Sequence, residues 1–153
     1  MSLSRRALSG FVALLAGGAA ARPAGAAESA GKTHRVALQV STNDPGLFDL
    51  ALNNAVNLSR EFSELAEEVE MEIVAYGPGL HMLRDDTSPV KAKIKSVTQS
   101  IPGIALSACG NTITAMEHAE GRKVDVLPGV RVVRAGAVRL VTLQEAGWSY
   151  LRV

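Results

Sequence analysis

The stretch "GIALSACGNTITAMEHAEG", Gly103–Gly121, decides how this chain is read. An apolar run ends at Cys109, and a segment with helical character begins two residues later, where Asn111 or Thr112 can cap it. Gly121 stands where a helix can end in a left-handed C′ residue. A buried strand feeding directly into a helix is the repeating half of an α/β unit, and the same pattern recurs on both sides. Upstream, "HRVALQV" (His34–Val40) is a short apolar run that enters the loop "STNDPG". Asp44 followed by Pro45 supplies an N-cap and first-turn pair, and Ala51, Ala55, Leu58, Phe62 and Leu65 form one apolar helical stripe.

Next comes "EVEMEIVAYGPG", in which Glu68, Glu70 and Glu72 alternate with Val69, Met71 and Ile73 before the run turns apolar. Ser88-Pro89 opens a second helix with Val90, Ile94, Val97 and Ile101 inward, while Lys91, Lys93 and Lys95 read as a solvated face. Downstream of the opening stretch, "VLPGVRVV" predicts a strand over Val130–Val133. "AVRLVTLQEAG" predicts a helix ending at Gly147, and "WSYLRV" a last strand. Strands thus alternate with one-sided helices throughout. The expected fold class is α/β, a three-layer α/β/α domain with a mostly parallel five-stranded sheet. Ligands of such sheets bind beyond the carboxyl ends of the strands, where "STNDPG", "YGPGLH" and "ACGNT" would meet.

The ends and the composition narrow the setting. "MSLSRRALSGFVALLAGGAAARPAGAA" has a basic start at Arg5 and Arg6, a weakly apolar middle and a small-residue segment, the layout of an export signal. "SRRAL" resembles the twin-arginine motif, with Leu8 where that motif often has Phe; the alternative is a general secretory signal that happens to carry two arginines. Residues 1–26 are therefore expected to be cleaved, leaving 27–153 as a single periplasmic domain. The apolar middle is shorter than the roughly 20 residues a membrane span needs, so no stable membrane insertion is expected after cleavage. Loss of Arg5, Arg6 and Arg22 takes the 16 basic residues to 13 against 15 acidic ones, a net charge of about −2. No basic patch with interleaved aromatics remains, which argues against nucleic acid as a partner.

Cys109 is the only cysteine. It cannot form an internal disulfide, which leaves a buried apolar residue, an intermolecular bridge or a reactive thiol. At a strand end, followed by a helix whose free N–H groups and dipole favour an anion, its thiolate would be stabilised. That makes Cys109 the candidate nucleophile. No C-x-x-C pair is present, so resolution would need a second protein or a small thiol. The candidate pocket around it takes Asn43, Gly77, His81, Gly110, Asn111 and Thr112 from the three loops.

His81 could face Cys109 across the cleft, although it also reads, like His34 and His118, as a packing or surface residue. No metal-ligand spacing occurs, and no metal site is expected. The dinucleotide fingerprint fails at Met82, a turn made by Gly77, Pro78 and Gly79 explains the glycines, and no cofactor is expected. The carboxylates read as surface residues, which makes hydrolase chemistry weak.

Four stretches, "VAYGPGLHML", "IALSACGNT", "VLPGVRVV" and "QEAGWSYLRV", together resemble the DsrE/DsrF-like family, in particular its small exported members. The resemblance runs from about His34 to Val153. It implies an α/β/α domain that assembles as a homo-oligomer, a trimer or hexamer. It further implies sulfur passed as a persulfide on one cysteine, here Cys109, with Asn111 and Thr112 lining its pocket. The cytoplasmic sulfur-relay members set their cysteine in a different local motif, and this chain carries an export signal. Two functions follow as expectations. One is a periplasmic sulfur-handling protein with a donor or acceptor protein, or a small thiol, as partner. The other is a non-catalytic oligomeric binding module with a structural cysteine.

Overall fold

The structure is a computed structural model that describes residues 31–153; the expected signal segment 1–26 lies outside the described residues. Five strands, β1 (Thr33–Val40), β2 (Glu68–Ala75), β3 (Ile104–Cys109), β4 (Arg131–Val133) and β5 (Ser149–Arg152), form one sheet in the order β4-β3-β2-β1-β5. Every neighbouring pair is parallel. The connections are helices: α1 (Pro45–Glu64), α2 (Lys91–Ser100), α3 (Gly110–Glu120) and α4 (Gly136–Glu145), with a 3-10 helix at Gly77–Met82. The fold is α/β, consistent with the three-layer α/β/α arrangement. No helix among the described residues is long and apolar enough to cross a membrane.

The two faces of the sheet are covered unequally. Period-2 alternation sends Val36, Leu38, Val40, Met71, Ile73, Ala75, Leu106 and Ala108 to one side, where α1, α2 and the 3-10 helix pack on them. Ile113 and Met116 bring α3 against the same core. Among the described residues, the opposite side is covered by one helix, α4, with Leu140 and Leu143 on Ala37 and Val74.

Local chemistry explains most boundaries. The Asp44 carboxylate accepts from the Gly46 N–H at 2.7 Å and Pro45 opens α1, as the sequence predicts. Gly121 closes α3 at a φ of 64°. Other expectations needed correction. On α1 the deepest residues are Phe48, Ala51, Leu52 and Ala55, whereas Leu65 is exposed because the helix has already ended at Glu64. Ser88 and Pro89 do not open α2, which starts at Lys91. Ser88 is instead buried, its hydroxyl donating to the Met82 carbonyl at 2.6 Å. The Gly-Pro-Gly turn continues as a 3-10 helix to Met82, since Leu80 and Met82 gain burial by winding inward.

Candidate functional site

Cys109 ends β3 and serves as the N-cap residue of α3, with φ −74° and ψ 114°. Its register partner is Val133. The side chain therefore lies on the same sheet face as Ser107, beneath the start of α4. That approach depends on Gly136. A β-carbon there would stand 3.2 Å from the Cys109 Cβ and 3.0 Å from the Tyr76 Cβ, closer than packing ordinarily allows. The glycine lets the N-terminus of α4 reach the thiol, so two helix starts converge on one sulfur.

Cys109 is 5% exposed. Burial pushes its pKa up. Opposing this, the Thr112 hydroxyl and the backbone N–H groups of Gly136, Thr112 and Asn111 donate toward the sulfur, and together they hold the thiol below its ordinary value. The Asn111 N–H is shared, since it also donates to the Arg134 carbonyl at 3.1 Å. The Thr112 oxygen accepts the Gly77 N–H at 2.9 Å. With that lone pair occupied, its single proton is available to the Cys109 sulfur.

A cleft of about 490 Å³ lies on the other side of Thr112. Asn43, Gly77, Pro78 and His81 form one wall; Asn111, Thr112, Ala115, Met116 and Ala119 of α3 form the other. The three predicted loops do meet here, and Asn43, Gly77, His81, Asn111 and Thr112 share this cleft. Gly110 does not line it. A β-carbon at Gly110 would sit 3.2 Å from the Val133 carbonyl oxygen, so this glycine serves the close passage of α3 past β4. Cys109 also lies outside the cleft lining, with Thr112 bridging the two spaces.

The histidines take separate places. His81 shares a 2.8 Å hydrogen bond with the Thr87 hydroxyl, and no histidine is among the groups that donate to Cys109. His34 stacks on Phe62 with ring centroids 3.7 Å apart and pairs with Glu67 at 2.6 Å. His118 is exposed on α3. Among the described residues, no group of three His, Cys, Asp or Glu side chains is placed to hold a metal ion.

Two charged clusters escaped the sequence reading. Glu72, expected on a surface face, is 1% exposed beneath α4. Arg139 grips both its oxygens at 2.9 and 2.6 Å, the Ser107 hydroxyl donates at 2.6 Å, and Arg131 stands at 3.2 Å. Burial raises the Glu72 pKa, but hydrogen bonds from Arg139 and Ser107 and the two guanidinium charges bring it below the usual carboxylate value. Arg84 is fully buried. It is bound by Glu120 from α3 and by Asp86, while Arg122 joins both carboxylates. The hydrogen bonds to Glu120 and Asp86 raise the Arg84 pKa, and those from Arg84 and Arg122 hold the Asp86 carboxyl far below its usual range. This clamp stands behind the cleft, with the Arg84 guanidinium 3.6 Å from the Met116 sulfur. The one legible signal was a charge straight after the apolar run "GLHML".

Fold and site define a class: a parallel α/β domain with a single buried thiol at the junction of its third strand and the next helix. No protein-family model and no curated protein matches the sequence. Among solved structures, MTH1491 from Methanobacterium thermoautotrophicum, described as a protein of unknown function, is 32% identical with a TM-score of 0.66. The match covers 78% of this chain and 99% of that one, and the chain belongs to the same family as MTH1491.

Proposed function

We propose that the chain is a DsrE-like sulfur-handling protein in which Cys109 carries sulfur as a persulfide. The observation behind this reading is the convergence of two helix starts and the Thr112 hydroxyl on one sulfur, which favours the thiolate. The Cys109 thiolate attacks the outer sulfur of a donor R–S–SH. A bond forms between that sulfur and Sγ, the donor S–S bond breaks, and R–S⁻ leaves with the electron pair, the proton staying on the transferred sulfur. Delivery is the same exchange in reverse, onto a thiolate of a partner protein or a small thiol. The cleft beyond Thr112 would seat the body of the donor or acceptor. Export to the periplasm belongs to this proposal, as does homo-oligomerisation to a trimer or hexamer. The exposed Val138 and Val141 on the outer side of α4 support an assembly.

A second reading, an oligomeric binding module with a structural cysteine, is favoured by the near-complete burial of Cys109 and its absence from the cleft lining. Iodoacetamide alkylation of the native protein against pH, followed by intact mass after polysulfide treatment, separates the two. The carrier reading expects an apparent pKa below that of an ordinary thiol and a mass gain of one sulfur atom, lost in Cys109→Ser. A thiol silent until the protein unfolds overturns it and leaves the binding module.

A further inference from the structure

A separate groove, remote from the thiol, starts from a mismatch in strand length. β2 runs beside Ile104–Ala108 of β3, but β4 covers only Ser107–Cys109 on the other side. Among the described residues, Ile104, Ala105 and Leu106 therefore have no strand partner along their outer edge, although the Ile104 N–H already donates to the Ile101 carbonyl at 3.2 Å. The chain turns away there at Pro128 and Gly129, the latter at a φ of 83°. A cavity of about 280 Å³ follows this open edge, bounded by Thr98, Pro128, Gly129 and Arg131. A second, of about 470 Å³, shares Thr98 and Pro128 with it and continues along α2 past Ile94 and Leu127 to Lys91 and Lys95. The two form one trench from an open strand edge to a pair of lysines.

Its charge has one sign. Among the described residues that line the trench, Lys91, Lys95 and Arg131 are charged and no carboxylate side chain is present, the Lys91 ammonium donating to the Asp85 backbone carbonyl. Among the described residues Lys95 has no ion-pair partner, and Lys91 meets the Asp85 carboxylate only at 3.8 Å. Arg131 must share Glu72 with Arg139, which already holds both oxygens, so its positive charge is only partly balanced. The two sides of the edge also differ. Ile94, Leu106 and Leu127 belong to the apolar core on one face, while Arg131 reaches Glu72 on the other.

We propose that this trench docks an extended peptide segment whose side chains alternate between acidic and apolar. A strand laid on the open edge of β3 would take backbone hydrogen bonds there, as in strand addition to a sheet edge. Period-2 geometry then sends alternate side chains toward the apolar wall of α2 and toward Arg131. Acidic groups at the far end meet Lys91 and Lys95.

The test uses the purified protein and a fluorescein-labelled peptide of three Val-Glu repeats. Saturable binding is expected, weakened about fivefold by Lys95→Glu, a change of an exposed residue whose effect on folding circular dichroism checks. Methylation of alternate peptide nitrogens should abolish binding, and hydrogen exchange at the Leu106 N–H, the edge donor left free among the described residues, should slow when peptide is bound. Cys109→Ser should bind the peptide as the parent does, so the result is independent of any sulfur chemistry. Absence of saturation up to roughly 1 mM overturns the proposal, as does equal binding of a Val-Lys peptide. Self-association that Lys95→Glu abolishes and the peptide does not compete with would assign the trench to a second copy of this chain, and would equally overturn it.

Discussion

The two faces of the sheet are built on opposite principles. On the face under α1, α2 and α3, apolar side chains fill the space, and Phe48, Leu38, Leu52 and Ile73 are all fully buried. Under α4 the buried apolar contribution shrinks to Ala37, Val74, Leu140 and Leu143 with partly buried Tyr76 and Trp148 against them, and polar groups lie beside it: Glu72, Ser107, Arg139 and the Cys109 thiol. Apolar burial is non-directional and tolerant, so the thick face can supply most of the stability. A thiolate needs donors at set positions and a buried carboxylate needs partners on every lone pair. The thin face provides those, and it is where the candidate chemistry lies.

Phe48→Ala should sharpen this contrast most. It empties the middle of the thick face and should cost about 3–5 kcal/mol, read as a fall in the denaturant midpoint. The alkylation profile of Cys109 in the protein that remains folded should stay as in the parent. A changed profile would mean that the two faces are not independent.

Glu72→Gln should come next, at about 1–3 kcal/mol, because it removes the charge that two arginines share, and both are partly exposed. The pH dependence has a definite sign. The folded pKa of Glu72 is lowered, so its contribution is present above the unfolded carboxylate value of about 4.3 and is lost as pH falls through the folded value. The parent should therefore lose stability toward the variant on acidification. Parallel stability curves below that pH would remove Glu72 as a stabilising charge.

Gly136→Ala carries the smallest energetic effect and the most specific one. The added methyl meets Tyr76 and Cys109 and moves the start of α4 outward, costing about 1 kcal/mol, the low end for an overpacked methyl. The Gly136 N–H then leaves the sulfur, so the alkylation rate at neutral pH should drop and the apparent thiol pKa should rise. An unchanged rate would show that α4 contributes nothing to the thiolate.

Much of this fold was legible residue by residue. Apolar runs of the right length, the Asp44-Pro45 cap, the Gly121 terminator and the passage from Cys109 into a helix are all local signals, since caps and periodicity act over a few neighbouring residues. They placed the strands and helices nearly where they occur, and they brought Asn43, Gly77, His81, Asn111 and Thr112 to one cleft. The remainder depended on sheet order. Ser107 lies 35 residues from Glu72, Arg139 lies 67 from it, and Glu120 lies 36 from Arg84. Strand alternation marks Glu72 as facing one side of β2, but only the packing of α4 over that side makes it a buried, doubly paired carboxylate. The same holds for Cys109. Its sequence neighbours supply one helix start, and the chain must close through β4 before Gly136 brings the second. Local residues set each element because their energies are local; long-range closure alone determined which face became chemical, because charges and donors act across distances that only folding brings within reach.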